Sequence, residues 1–217
     1  MRRTLILTLL LVSGGGWGAS GGERRPLDLP SGGAGRSSEE EDAPETIIFF
    51  GAAYEGDGFF FLLDKSGSMA GEKIMLLKEE LTSTINSLSS HSDFAIVAFS
   101  GDVISFSPVP SRAEPQQKAA AIGWVQGLEP YGPTFMLNGA LYLLPITRLC
   151  NLPRRVIIAV GDGLPNGPGP DDTLEGIVSA NWEGLPINTI LFGSEPTAVE
   201  FMSNLSAATG GTFHNNP

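Results

Sequence analysis

Phe59-Phe-Phe-Leu-Leu63 is a run of large apolar side chains without a polar interruption, and it constrains the fold more than any other feature. Successive side chains of an extended chain point to opposite faces, so this strand has to be covered on both. Phe94-Ala-Ile-Val-Ala-Phe99 and Arg155-Val-Ile-Ile-Ala-Val160 repeat the pattern, and Ile187-Asn-Thr-Ile-Leu-Phe192 follows it in part. A sheet coated on both sides needs helices, and the segments between these runs supply them. Between residues 71 and 89, Ile74, Leu77, Leu81, Ile85 and Leu88 recur every three or four positions and form one apolar stripe.

Shorter helices are expected over 116–128, 134–144, 172–180 and 197–209, with Pro145 kinking or ending the second of these. Further strands are expected over 46–50, 103–106 and 212–213. The Gly-Asp turn before Val103 makes 94–99 and 103–106 an antiparallel hairpin. The alternation predicts an α/β fold: a three-layer, Rossmann-like sandwich with a mostly parallel sheet, one antiparallel edge strand and helices on both faces.

The first 45 residues do not fit that pattern. Arg2 and Arg3 precede the apolar run Thr4–Val12, and small residues around Gly18-Ala19-Ser20 follow. That order is a secretory signal over residues 1–20. Its apolar run is far shorter than the ~20 residues that cross a bilayer. Residues 21–45 are rich in Gly, Pro, Ser and acids and offer little to bury, so they read as a disordered linker to a domain over 46–217. An exported protein, in the periplasm, on the cell surface or outside the cell, with no integral membrane segment after cleavage, is the expectation.

Composition removes several function classes. With 24 Asp and Glu against 13 Lys and Arg, the net charge is −11, and no basic cluster exists to grip nucleic acid or anionic lipid. One cysteine and two distant histidines supply neither an internal disulfide nor a zinc site. Cys150 reads as a small buried hydrophobe. What an acidic chain can do is converge carboxylates on a hard cation.

In open α/β sheets ligands sit beyond the carboxyl ends of the strands. The first buried strand ends in Asp64-Lys65-Ser66-Gly67-Ser68-Met69, an acid and two hydroxyls at alternate positions entering a tight turn. The strand over 155–160 runs into Gly161-Asp162-Gly163, and Gly132-Pro133-Thr134 adds a hydroxyl where a helix begins. Three segments thus deliver two carboxylates and three hydroxyls to one edge of the sheet.

In these residues the chain resembles the von Willebrand factor type A (vWA) domain family and its metal-ion-dependent adhesion site, and specifically a bacterial-type exported member. The family's D-x-S-x-S motif is met by Asp64, Ser66 and Ser68, its separate threonine by Thr134, and its second aspartate by Asp162. The turn Ala208-Thr-Gly-Gly-Thr-Phe213 is similar to the family's last helix-to-strand connection. The resemblance implies a binding protein and not an enzyme, with Mg2+ (or Mn2+) held by Asp64, Ser66, Ser68, Thr134 and Asp162. It also implies that a partner protein completes the coordination with an Asp or Glu side chain. An all-oxygen donor set suits such a cation better than zinc or copper.

Two departures stand beside the match. Pro133 replaces a flexible glycine, and Gly161 replaces the usual threonine before Asp162, which costs a hydrogen bond next to the metal. Lys65, Met69, Phe135, Pro165 and Asn166 are the expected ligand-facing rim, with Trp182 bordering it. A monomer is favoured. The alternatives are a vWA scaffold that holds no metal, and a Mg2+-dependent phosphohydrolase using Asp64. The latter lacks the usual second acid two residues on, where Ser66 stands.

Overall fold

A computed structural model describes residues 43–216. The expected signal and nearly all of the expected linker lie outside the described residues. Glu45, the linker's last residue, instead opens strand β1 (Glu45–Phe49). Its carboxylate accepts the Ser89 N–H at 2.7 Å and the hydroxyls of Ser89 and Ser92.

β1 pairs antiparallel with β2 (Ala52–Gly56) in a two-stranded sheet of its own. The sequence pattern predicts no strand over 52–56, because Ala-Ala-Tyr-Glu-Gly contains no β-branched residue. Phe50 and Gly51 make the turn with φ of 50° and 73°, the doubly positive geometry of a two-residue hairpin. Phenylalanine resists a positive φ. Here the Phe50 N–H donates to the Glu80 carboxylate at 2.7 Å, and its ring meets Phe192 edge-on at 4.9 Å.

The main sheet has seven strands. In chain order they are β3 (Gly58–Asp64), β4 (Asp93–Phe99), β5 (Val103–Ser105), β6 (Ser111–Arg112), β7 (Arg155–Gly161), β8 (Ile187–Phe192) and β9 (Phe213–Asn216). In space they run β5-β4-β3-β7-β8-β9, all parallel except β5 and β6, which both pair antiparallel with β4. The expected sandwich is therefore present, with a second short antiparallel strand, β6, that two residues could not announce.

Five helices cover the sheet: α1 (Glu72–Ser87), α2 (Pro115–Gln126), α3 (Met136–Thr147), α4 (Pro170–Ala180) and α5 (Pro196–Thr209). Phe59, Phe61 and Leu63 pack with Leu77 and Leu81 of α1 and Val125 of α2, whereas Phe60 and Leu62 pack with Leu143 of α3, Ile177 of α4 and Phe201 of α5. Those two clusters explain why the Phe59–Leu63 run shows no alternation. Pro145 lies inside α3, which continues for two residues beyond it. Among the described residues no helix is long and apolar enough to cross a membrane.

α3 approaches β4 closely at Gly139, where a Cβ would lie 2.8 Å from the Cβ of Phe99. Helix and strand cannot both hold their places with any side chain there. Gly139→Ala is expected to destabilise the domain by about 2 kcal/mol and lower its melting temperature by about 5 °C. Urea denaturation measures this directly.

Candidate metal centre

β3 and β7 are parallel neighbours, but β3 feeds α1 on one face of the sheet and β7 feeds α4 on the other. The connections diverge and leave a crevice at the switch point. Asp64 is the last residue of β3, and Asp162 directly follows β7.

Asp64 is 1% exposed. Its Oδ1 accepts the Ser66 N–H at 2.7 Å, while its Oδ2 is buried with no hydrogen-bond partner. Burial raises the carboxyl pKa to about 6, and the charge of Asp162 adds to the shift while Ser66 and, more weakly, the Asp162 backbone N–H oppose it. Gly161 lies against this carboxylate, since a Cβ there would sit 3.3 Å from Oδ2. The place where the family carries threonine is thus beside the oxygen that lacks a partner.

From Asp64 a chain of oxygens crosses to the other strand. Ser66 and Ser68 share a hydroxyl hydrogen bond at 3.0 Å, and Ser68 donates to Asp162 Oδ1 at 2.7 Å. The other oxygen of Asp162 faces Lys73 Nζ at 2.5 Å, with the Asp162 side chain 1% exposed and that of Lys73 39% exposed. Thr134 lies in the loop before α3 and is held by Asn166, which accepts the Thr134 N–H at 2.9 Å and donates its own N–H to the Thr134 carbonyl at 2.8 Å. That loop is in turn fastened to the Asp64–Ser68 turn: Gly67 N–H donates to the Gly132 carbonyl at 2.9 Å, and Tyr131 N–H to the Lys65 carbonyl at 2.8 Å. The three segments singled out in the sequence are joined by hydrogen bonds.

The expected rim is corrected in part. Lys65, Met69 and Pro165 are buried, Phe135 is half-buried, and Asn166 alone is exposed. Lys65 alternates with Asp64 and Ser66 along an extended segment, so it turns to the opposite side. There its ammonium donates to Ser100 Oγ at 2.8 Å and Asp102 Oδ1 at 2.7 Å and lies 3.7 Å from the centre of the Tyr131 ring. Met69 closes the short 3-10 turn Gly67–Met69 from beneath. Trp182 is 71% exposed just past the carboxyl end of α4, at the edge of the sheet away from the crevice, where Arg148 stacks on it.

Sequence reasoning missed Lys73 and the partners of Lys65. For Lys73 a signal existed: a cation in the first turn of a helix is disfavoured by the helix dipole and calls for a nearby anion. For Lys65 the signal was alternation, which sends a lysine inward, where it needs a carboxylate such as Asp102.

The donor set is entirely oxygen, with two buried carboxylates side by side and one carboxylate oxygen unpaired, and this fits a hard divalent cation. No group of three or more His, Cys, Asp or Glu capable of holding a metal occurs among the described residues, so such an ion would depend on the serine and threonine hydroxyls.

Comparisons with known proteins bear on the fold and the family. Inter-alpha-trypsin inhibitor heavy chain H4 of Bos taurus is 30% identical over 112 residues, covering 48% of this chain and 12% of that protein. Heavy chain H3 of Homo sapiens is 26% identical over 160 residues, covering 70% and 18%. The chain thus spans less than a fifth of these curated relatives' length. Among solved structures, a von Willebrand factor type A protein from Catenulispora acidiphila superposes with a TM-score of 0.64 at 21% identity, covering 81% of this chain and 46% of that one. The PilB minor pilin from Streptococcus sanguinis gives a TM-score of 0.64 at 13% identity, covering 79% and 58%. The sequence profile described as the von Willebrand factor type A domain matches residues 59–215, and the chain belongs to that family.

Proposed function

We propose that this domain holds a divalent cation, Mg2+ or Mn2+, through Asp64, Ser66, Ser68, Thr134 and Asp162, and thereby binds an acidic side chain of a partner protein outside the cell. Domains of this family generally take part in protein–protein interaction and often depend on a metal. The observation that carries the reading is Asp64 Oδ2, a buried carboxylate oxygen without a hydrogen bond beside a second carboxylate. Such an arrangement costs folding free energy and is retained where a ligand compensates it.

Bound there, the ion would supply a Lewis-acidic point open to a carboxylate oxygen. The protein's own part is to fix the donors. Ser66 N–H orients Asp64, the Ser66–Ser68 pair spans the gap to Asp162, and Asn166 holds Thr134. A binding role is favoured over catalysis, because no acid follows Asp64 at the second position and His91 lies before β4, at the opposite edge of the sheet.

Calorimetric titration of the full chain with MgCl2 and with MnCl2 tests the reading. Binding at millimolar concentration or tighter is expected, with a rise in melting temperature that Ser68→Ala reduces and Asp64→Ala abolishes. Absence of binding by both ions would remove the proposal. Turnover of p-nitrophenyl phosphate that disappears in Asp64→Ala would replace it with the phosphohydrolase.

A further inference from the structure

We infer that Lys73 sets the charge of the cation site, weakening its hold on the metal so that the loaded site attracts a carboxylate. This rests on the metal-binding reading above. Lys73 stands in the first turn of α1, directly after the turn that carries Ser66 and Ser68. Its ammonium lies 2.5 Å from Asp162 Oδ2 while Ser68 occupies Oδ1. Both oxygens of the second aspartate are therefore engaged within the chain.

Lys73 sits in the first turn of the helix, where the backbone dipole disfavours a cation. Asp162 supplies the compensation, and the contact is specific, because the Asp162 side chain is 1% exposed.

Charge accounting gives the contact its consequence. Two carboxylates alone would neutralise a divalent ion and leave nothing to draw in a third. Two carboxylates and one ammonium leave the empty site with a single net negative charge. The loaded site then carries a single net positive charge. At a few ångströms in a partly buried crevice, one unit charge changes cation affinity by about tenfold or more. The same charge favours an incoming acid, against the repulsion of a chain whose net charge is −11. Lys73 is a positioning and charge-setting residue in this account, and it need not touch the partner.

The test compares Mn2+ binding by the full-length wild type, Lys73→Met and Lys73→Arg, with free Mn2+ followed by electron paramagnetic resonance. Circular dichroism melts in EDTA verify that each variant is folded. Lys73 is partly exposed on a helix surface, so both substitutions are compatible with the fold. Lys73→Met is expected to bind Mn2+ about tenfold more tightly than wild type, and Lys73→Arg within about twofold of it. Wild type and Lys73→Met binding equally, or Lys73→Met binding more weakly, would overturn the inference while leaving the metal site in place. If neither binds Mn2+, the metal reading itself fails and takes the inference with it. Binding by Lys73→Met alone would remove the metal-binding reading for the natural chain, and the inference with it.

Discussion

Asp64→Asn is expected to make the metal-free domain more stable and the metal-loaded domain less stable, an inversion that few substitutions produce. In EDTA at pH 8 the gain is about 2–3 kcal/mol, because asparagine keeps the shape of the side chain and removes a buried charge. At a MgCl2 concentration about 200 times the Kd, wild type is expected to overtake the variant, since the ion stabilises only the protein that binds it and that stabilisation then reaches about 3 kcal/mol. The pH dependence fixes the sign. The folded-state pKa of about 6 lies above the usual 3.8, so the folded form binds the proton more tightly than the unfolded chain. The Asp64 contribution to stability is greatest below pH 4, falls as pH rises toward 6, and stays flat above it. Urea denaturation of metal-free wild type should show that fall, and Asp64→Asn should lack it. A variant less stable than wild type in EDTA would contradict the assignment of Asp64 as a strained ligand.

Asp102→Ala is the second large effect, with an expected loss of about 3 kcal/mol. Lys65 is 1% exposed, and removing its counter-ion leaves an ammonium enclosed by Ser100 and the Tyr131 ring. The half-exposed position of Asp102 keeps the figure at the lower end for a broken buried pair. Lys65, with help from Tyr131 and Ser100, pulls the Asp102 pKa down to about 2. This pair therefore contributes in full above pH 4 and is lost only as pH falls through 2. Lys65→Met with Asp102→Ala is expected to recover most of the lost stability, because an apolar side chain of similar length tolerates the same enclosure. Chemical denaturation of the two single variants and the pair isolates the coupling. If the double variant is as unstable as Asp102→Ala alone, the loss does not come from the stranded charge.

The layered fold could be read from the sequence because burial on two faces leaves a plain trace in runs such as Phe59–Leu63, and a helix stripe such as Ile74 to Leu88 leaves another. Asp64 and Asp162 stand out for a similar reason, since strand ends at a switch point are where donors collect; Ser66 and Ser68 follow in the turn beyond β3, and Thr134, in the loop before α3, is marked by the family resemblance. The hairpin partner β2 was hidden because its turn is Phe50-Gly51 and not Asn-Gly, with its geometry enforced by Glu80 and Phe192 from distant parts of the chain. Lys65 and Met69 stand beside the motif in sequence, but alternation turns Lys65 inward and Met69 is buried where the 3-10 turn Gly67–Met69 ends. Lys73 is marked locally only as a cation in the first turn of a helix, a pattern that calls for an anion without saying that it lies 89 residues away.

The stitching of three loops by backbone groups separates what must stay from what is free to vary. Gly67 to Gly132, Tyr131 to Lys65, and Asn166 to Thr134 in both directions make a frame that depends mostly on main-chain atoms. Pro133, Pro168 and the neighbouring Gly169 are exposed and take no part in those bonds. Substitution there redraws the outer contour of the face while the oxygen cage beneath keeps its shape. Under the proposed function, such a domain can change which protein it recognises while keeping its hold on the ion.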